Sequence, residues 1–411
     1  MKFQPIITSL LETDLYKFSM GQAIYHQYPS FKTTWTFKCR NENVHFTDEM
    51  IEEIKEQIQH YCELQFKEEE LNYLGKLEWL HADYIDHLRI WKARFNDFRI
   101  DKGGDCGLIM EAKGTWLNTS MYEIPVLAII NEVYFRMAYD YSALLEQYKR
   151  RLKEKTDWLI SGKYNIGGFS EFGLRRRLSA EAQELAVKTL CENNKNYKES
   201  HCVGTSNVYL AKKYNVIPVG TMAHEFIMCV GQGNPMVNPA YSNKLAMESW
   251  NEEYGVLNGT YLTDTIGDEL SHRDMGFTFS ILFSGVRHDS GDPYEWGEAW
   301  IDHFKNYYEK YHDERVNPKN KTLLFSDSLD FERASKLYEH FKSRIKVAFG
   351  IGTYIANDTD VEPLNIVMKV SECNGSPVAK LSNADGKLMC NDDSYVEYLR
   401  KTIDWRLKHE R

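Results

Sequence analysis

The stretch Gly285-Val286-Arg287-His288-Asp289-Ser290-Gly291-Asp292-Pro293 joins two segments of different character. Residues 277–283 before it form an apolar, β-prone run that predicts a buried strand. Residues 294–311 after it carry apolar side chains at helical spacing, and Pro293 suits the first turn of a helix. The stretch is therefore predicted to place an arginine, a histidine and two aspartates where a strand ends.

These residue types suit a ligand site. Arginine presents a planar fork of donors that matches a carboxylate or a phosphate. Aspartate can bind a metal ion or accept hydrogen bonds from sugar hydroxyls. An alternative interpretation is a plain turn followed by a helix N-cap, because Ser, Gly and Asp are common in turns.

Short apolar strands alternate with helical segments through the second half of the chain. Six strands are predicted, at residues 165–169, 216–219, 259–262, 277–283, 322–325 and 345–349. This alternation argues for parallel pairing, and so many units favour a closed barrel over an open sheet. We therefore predict an α/β protein in which residues 141–376 form an irregular TIM-like (β/α) barrel.

Residues 1–140 mix helices and strands without a repeating order, which predicts an α+β domain. We expect a strand near residues 34–39, a helix that begins at Thr47, a hairpin around Gly103-Gly104 and two helices within residues 122–160. Two more strands are predicted within residues 363–380. Residues 377–411, with a helix at 392–405, are expected to join the first domain.

The composition excludes several classes of function. The 411 residues carry a net charge of −10 without a long basic run, which argues against a nucleic-acid partner. No signal peptide and no apolar run of membrane-spanning length occurs, so we expect no membrane partner. The eight cysteines are scattered without a Cys-x-x-Cys pair, which favours a reducing, cytoplasmic location over a zinc or disulfide framework.

Each predicted strand is followed by a polar or glycine-rich cluster, and in barrels such clusters meet at one mouth. The clusters are Ser170 to Arg177, Gly220-Thr221-Met222-Ala223-His224-Glu225, Thr263-Asp264-Thr265, Arg287 to Asp292, Ser326-Asp327-Ser328 and Gly350-Ile351-Gly352-Thr353.

Several clusters have both a functional and a structural interpretation. The segment Gly350 to Thr353 fits a phosphate cradle, although Gly-x-Gly also forms ordinary turns. The arginines 175–177 fit an anion site beside the ring of Phe172, or a solvated helix start. His224 could transfer protons or accept a phosphoryl group, although a lone histidine is more often structural.

Asp264, Asp289 and Asp327 follow three different strands and could hold Mg²⁺, although each also suits a helix N-cap. The residues alone thus predict a barrel enzyme that acts on a phosphorylated, anionic substrate with Mg²⁺. They do not name the reaction.

Taken in order, the motifs closely resemble those of nicotinate phosphoribosyltransferases, over nearly the whole chain. They are Thr13-Asp14-Leu15-Tyr16-Lys17, Glu123-Ile124-Pro125, Phe172-Gly173-Leu174-Arg175-Arg176-Arg177, Gly204-Thr205-Ser206-Asn207, Gly220 to Glu225, Arg287 to Pro293, Phe325-Ser326-Asp327, Phe349 to Thr353 and Pro377 to Ser382. One departure is Leu174, where the family commonly has threonine.

The resemblance implies a type II phosphoribosyltransferase of NAD biosynthesis. Such an enzyme joins nicotinate to phosphoribosyl pyrophosphate, releases pyrophosphate and couples the reaction to ATP hydrolysis with Mg²⁺. His224 matches the histidine that family members phosphorylate, and we expect Asp289 and Glu225 to be further catalytic residues.

The resemblance also implies binding roles. Phe172 would stack on the pyridine ring, faced by Tyr16 from a neighbouring subunit of a homodimer. Arg287 would bind the nicotinate carboxylate, with Thr221 and Arg175 beside it. The remaining roles concern the metal ion (Asp264, Asp289), the ribose (Ser326, Asp327) and the 5′-phosphate (Gly350, Gly352, Thr353).

Two other functions compete with this interpretation. A nicotinamide phosphoribosyltransferase would want an aspartate near the ring, whereas Ser206-Asn207 offers no carboxylate there. A Mg²⁺-dependent aldolase or isomerase for sugar phosphates would need a lysine or carboxylate base, such as Lys369 or Lys380. It would not account for His224 and the arginine clusters.

Overall fold

A computed structural model describes residues 3–382, 388, 390 and 392–410. Its strands are β1 Lys32–Cys39, β2 Phe98–Lys102, β3 Leu108–Thr115, β4 Gly167–Glu171, β5 Ser200–Thr205, β6 Ile217–Pro218, β7 Thr260–Leu262, β8 Gly285–His288, β9 Thr322–Phe325, β10 Lys346–Ile351, β11 Ile366–Cys373 and β12 Ser376–Pro377.

The α-helices are α1 Leu15–Gln27, α2 Asp48–Glu63, α3 Glu68–Leu74, α4 Ala82–Ile90, α5 Trp116–Thr119, α6 Glu123–Ala138, α7 Tyr141–Ser161, α8 Ala180–Glu192, α9 Val208–Tyr214, α10 His224–Ile227, α11 Ser242–Tyr254, α12 Asp268–Leu282, α13 Pro293–Tyr311, α14 Phe331–Phe341, α15 Thr353–Ala356 and α16 Asp393–His409. Among the described residues, none of these helices is long and apolar enough to cross a bilayer.

Seven strands form a parallel sheet in the order β6-β5-β4-β10-β9-β8-β7. The α/β class and the parallel pairing are confirmed. Closure into a barrel is not seen, because β6 and β7 are the two edges of this sheet in the described part of the chain. All seven strands still end on one side of the sheet, which is the condition for their polar clusters to meet.

The strand predicted at residues 277–283 is wrong. These residues lie mostly in helix α12, which is interrupted at Gly276 (φ 47°), and the strand is the next segment, β8. Phe277 stacks on Tyr311 of α13 at 4.0 Å between ring centroids, so the apolar run packs one helix against another. A short apolar run does not distinguish a covering helix from a buried strand.

Strand β5 was not predicted, because Ser-His-Cys-Val-Gly-Thr has little of the alternation or β-branching that marks a strand. It nevertheless pairs with β4 on one side and β6 on the other. The predicted strand at 216–219 shrinks to the two residues of β6, one of which is Pro218.

An antiparallel sheet of five strands, in the order β12-β11-β1-β3-β2, forms the second layer. The predicted first strand and the hairpin are confirmed as β1 and as β2 with β3, and the Thr47 side chain caps α2 by accepting from the Met50 amide. The predicted domain boundary at residue 376 places β11 in the barrel, whereas β11 pairs with β1 along Thr33 to Cys39.

The C-terminal helix α16, expected to join the first domain, contacts α12 and residues 239–241 in the described part of the chain. Arg406 of α16 donates to Asp274 of α12 at 2.9 Å and to the Ala240 carbonyl at 2.8 Å. Val396, Leu399 and Ile403 bury their side chains in a small apolar cluster with Ala240 and residues 266–270. Helix α16 therefore packs on the α/β part of the molecule.

Candidate active site

A cavity of about 460 Å³ lies where the parallel strands end, with β11 across its mouth. Its lining includes Tyr16, Arg40, Glu123, Arg175, Arg176, His224, Arg287, Asp289, Ser326, Asp327, Gly352, Thr353, Lys369 and Lys380. Six of these side chains are arginine or lysine and three are carboxylates. In a chain of net charge −10, such a cavity is suited to anions.

Arg287 points from β8 toward this cavity and is held at both ends of its guanidinium group. Its Nε donates to Ser326 Oγ at 2.8 Å, and one Nη donates to Thr221 Oγ1 at 3.2 Å. Its other Nη lies 3.4 Å from Asp289 Oδ1. The side chain is thus fixed in orientation, which suits the recognition of a planar carboxylate.

The ring of Phe172 lies next to this arginine, with its centroid 6.0 Å from Arg287 Cζ. Phe172 follows β4, and its amide donates to the carbonyl of Ile351 at the end of β10. A Cβ atom on Gly350 would lie 2.3 Å from the ring, so glycine at this position makes room for it. Gly350 therefore makes room for the ring, and the phosphate contact expected of it stays a prediction.

His224 begins helix α10 and lies between two carboxylates. Its Nε2 is 2.9 Å from Asp264 Oδ1 and 3.6 Å from Asp289 Oδ2. Lys380 Nζ lies 2.9 Å from Asp264 and 3.0 Å from Asp289. Ser290 Oγ donates to the second oxygen of Asp264 at 2.5 Å. Three predicted residues thus meet around a lysine that was not predicted as a site residue.

The charge states follow from burial and from these contacts. Burial and the charge of Lys380 lower the pKa of His224 to about 4, against the opposite effect of Asp264, so the imidazole is neutral at pH 7. Burial alone would raise the pKa of Asp289, but the charges of Lys380 and Arg287 hold it well below its usual value. Burial alone would lower the pKa of Lys380, but the charges of Asp289 and Asp264 raise it above its usual value.

The three consecutive arginines have different positions. Arg175 and Arg176 line the cavity. Arg177 is buried and donates to Glu12 at 3.0 Å and to the carbonyl of Ile6 at 3.2 Å, so it fixes the N-terminal segment. Two of the three arginines predicted for an anion site therefore line the cavity. Leu174, where the resemblance suggested a lost polar contact, is fully buried.

The predicted ribose and phosphate residues lie on two neighbouring strands. Ser326 and Asp327 follow β9, and Gly352 and Thr353 follow β10 at the start of α15; all four line the cavity. Asp292 is different, because its carboxylate accepts from the amides of residues 294 and 295 and caps α13. The turn-and-cap interpretation is thus correct for Asp292.

Glu225 is not among the residues that line the cavity, but its partner Lys17 also lies 2.8 Å from Glu123, which does line it. The Glu225 carboxylate binds Lys17 and accepts from Ser120 Oγ at 2.5 Å and Trp116 Nε1 at 3.2 Å. These contacts hold the Glu225 carboxylate in place, and its expected catalytic role stays a prediction. Tyr16, expected to act in a neighbouring subunit, lines the cavity of its own chain.

Sequence reasoning missed several charged residues of the site. Arg40 directly follows β1, and Lys369 lies on β11 with its Nζ 3.9 Å from Glu123 Oε1. The position of Arg40 at the end of a predicted strand could have marked it as a candidate site residue. The sequence around it does not indicate that the antiparallel sheet lies next to the cavity. Lys369 was considered only for a competing function.

Comparison with known proteins decides the family. Residues 168–406 match the nicotinate phosphoribosyltransferase (NAPRTase) family, and residues 11–131 match the N-terminal domain of the same family. The chain belongs to the nicotinate phosphoribosyltransferase family. The two matched regions cover most of the antiparallel sheet, the parallel sheet and the cavity between them.

Relatives in this family match over nearly their full length. The nicotinate phosphoribosyltransferase of Ralstonia nicotianae is 42% identical over 400 residues, which cover 97% of this chain and 99% of that protein. Solved nicotinate phosphoribosyltransferases from Vibrio cholerae and Porphyromonas gingivalis superpose with TM-scores of 0.88 and 0.84 at 32% and 33% identity. The alignments cover 97% of this chain in both cases, and 94% and 100% of the two structures.

Proposed function

We propose that the protein is an enzyme of NAD biosynthesis that joins nicotinate to phosphoribosyl pyrophosphate, forming nicotinate mononucleotide and pyrophosphate. The observation that carries the proposal is the guanidinium of Arg287, which lines a cationic cavity and lies beside the ring of Phe172. An aromatic carboxylate needs a ring surface and a fixed cation together. Nicotinamide, which is neutral, would gain less from this cation.

The bond exchange requires the pyridine nitrogen to attack ribosyl C1 while pyrophosphate leaves. We infer that Phe172 and Tyr16 hold the ring, and that Gly352, Thr353 and the Ser326-Asp327 pair hold the phosphoribosyl group. Negative charge grows on the leaving group in the transition state. Arg40, Arg176 and Lys369 line the cavity and supply fixed positive charge where such stabilisation is most effective.

Histidine phosphorylation by ATP is proposed for His224. The contact between Nε2 and Asp264 favours the tautomer with its proton on Nε2, which leaves a lone pair on Nδ1. Nδ1 would attack the terminal phosphorus of ATP as ADP leaves, and later hydrolysis of the phosphoimidazole would return phosphate. A neutral imidazole, as the lowered pKa of His224 predicts, is the nucleophilic form.

Mg²⁺ is proposed as the metal ion. The carboxylates of Asp264 and Asp289 lie close together and suit this ion, which would have to displace the Lys380 ammonium group that now lies 2.9 and 3.0 Å from them. The side chain of Asp264 is 1% exposed and that of Asp289 is 24% exposed, so Asp289 is the more accessible ligand. When bound with the substrate phosphates, Mg²⁺ would neutralise charge on the leaving pyrophosphate.

We also propose three features of the fold, the assembly and the location. We infer that the seven-stranded sheet is an irregular (β/α) barrel that is open between β6 and β7. We also infer a homodimer, in which Tyr16 stays in the site of its own chain, and a cytoplasmic location, which the scattered thiols favour. A dimer is tested by light scattering, with a monomer as the contradicting result.

The family match disfavours an aldolase or isomerase, although burial lowers the pKa of Lys369 to about 8, as a Schiff-base lysine would need. Lys380, the other lysine considered for this function, is unsuited. A Schiff-base lysine must lose its proton, whereas Asp264 and Asp289 raise the pKa of Lys380 against the effect of burial.

The proposed function is tested by steady-state assays with phosphoribosyl pyrophosphate and Mg²⁺, comparing nicotinate with nicotinamide, each with and without ATP. We expect turnover of nicotinate that ATP enhances. For His224→Ala, we expect loss of the ATP stimulation while ATP-independent turnover remains. Preference for nicotinamide would contradict the substrate assignment, and full loss of ATP-independent turnover in a folded His224→Ala variant would contradict the role of the histidine.

A further inference from the structure

A second group of metal-ligating side chains lies outside the cavity, where helices α1, α4 and α11 meet. His26 is near the end of α1, His81 caps α4, and Asp83 lies in the first turn of α4. Ligand atoms of these three residues lie within 4.8 Å of one another. We propose that His26, His81 and Asp83 form a Zn²⁺ site that fastens α1 to α4.

The distances suit a tetrahedral ion. His26 Nε2 lies 3.0 Å from Asp83 Oδ2. Two ligands at about 2.0–2.1 Å from a tetrahedral Zn²⁺ are about 3.3 Å apart, so this pair is already near the edge length of the polyhedron. The His81 ring is 5.6 Å from that of His26 between centroids, and its side chain is 53% exposed, so it can turn toward the ion. Water completes the four ligands.

A buried carboxylate orients the central ligand. Glu253 of α11 lies 2.7 Å from His26 Nδ1, and its side chain is 4% exposed. Gln22 and Gln27 of α1 donate to the same carboxylate at 2.7 and 3.3 Å. Glu253 therefore accepts the Nδ1 proton, and the ion would replace the hydrogen bond that His26 Nε2 now donates to Asp83. Metal-bound histidines commonly have such a carboxylate on their second nitrogen.

The site would act on the same helix that reaches the cavity. Helix α1 carries Tyr16 in its first turn and His26 in its last turn. Gln22 also accepts from the His81 amide and donates to the Trp79 carbonyl, so the segment before α4 is already attached to α1. The ion would join α1 to α4, and Glu253 joins both to α11.

The test is titration of the metal-free full chain with Co²⁺ and Zn²⁺, read by the visible absorption of tetrahedral cobalt and by calorimetry. We expect about one equivalent to bind. His81→Ala and Asp83→Asn should each weaken binding at least about tenfold, and Glu253→Gln about 10- to 100-fold. The matched control is His201→Ala, which removes an exposed histidine on β5 and should leave metal binding unchanged.

A variant in the cavity distinguishes the two candidate metal sites. We expect His224→Ala to retain the tetrahedral cobalt spectrum. If the spectrum is lost in His224→Ala and kept in His81→Ala, the ion belongs to the cavity and the proposal is wrong. Equal binding by the wild type, His81→Ala and Asp83→Asn, or no binding by the folded wild type, would also overturn it.

Discussion

Replacing Gly350 with alanine tests the aromatic surface of the site directly. The new Cβ would lie 2.3, 2.4 and 3.0 Å from three atoms of the Phe172 ring. Ordinary contacts of this kind are 3.4 Å or more, so the ring must retreat by about 1 Å from the place where nicotinate is expected to stack. The overpacking itself would cost about 1–3 kcal/mol of folding stability. Loss of ring stacking would cost about 0.5–1.5 kcal/mol of substrate binding, so we expect kcat/KM for nicotinate to fall about 2- to 12-fold.

The matched control is Gly168→Ala on the neighbouring strand β4, where the new Cβ would meet only a Val203 methyl group at 3.7 Å. Both variants are assayed at saturating phosphoribosyl pyrophosphate after their folding is verified by circular dichroism. A double-mutant cycle with Phe172→Leu locates the cause, since the penalty of Gly350→Ala should largely vanish when the ring is absent. Equal kcat/KM for Gly350→Ala and the wild type would refute the reasoning.

Two further predictions concern stability. Lys17→Met leaves the buried carboxylates of Glu123 and Glu225 without their shared cation, so we expect a loss of about 3–5 kcal/mol in urea unfolding; a loss below about 1 kcal/mol would contradict a stabilising ionic group. His272 stacks on Trp300, and burial lowers its pKa from 6.5 to about 4. Between these two pH values the unfolded state binds a proton that the folded state does not, so the stability of the fold falls as the pH drops from 6.5 toward 4. His272→Phe keeps the stacking and should reduce the fall between pH 7.5 and 5 by about 1–2 kcal/mol; an unchanged pH dependence in urea unfolding would show that this histidine does not titrate as expected.

The sequence predicted the class of fold and the strand ends because both depend on local pattern. The alternation of strands and helices predicted the parallel sheet. The position of Ser326 and Thr353 after predicted strands indicated that they lie in the site, and both line the cavity. The predictions that failed concern segments whose secondary structure is decided by tertiary packing. An apolar run could not reveal that residues 277–283 pack helix to helix, and the weakly patterned β5 is a strand because its two neighbours pair with it.

The site residues divide in the same way. Arg287 and His224 were found from residue type and position alone. Residue type and position do not show which cation a carboxylate binds. Glu225 is next to His224 in the sequence, yet its carboxylate binds Lys17. Lys369 enters the cavity on a strand of the other sheet, and only the long-range pairing of β11 with β1 brings it there.

That pairing has a consequence for protein synthesis. Strand β1 is made early, yet one of its two hydrogen-bonding edges is completed by β11, which is among the last strands to leave the ribosome. Until then the nascent chain presents an unpaired edge of the kind that other chains can pair with. A polypeptide terminated before Ile366 would lack both the cover of this edge and Lys369. Truncated products should therefore be inactive and prone to aggregation, which makes them substrates for chaperones and proteases.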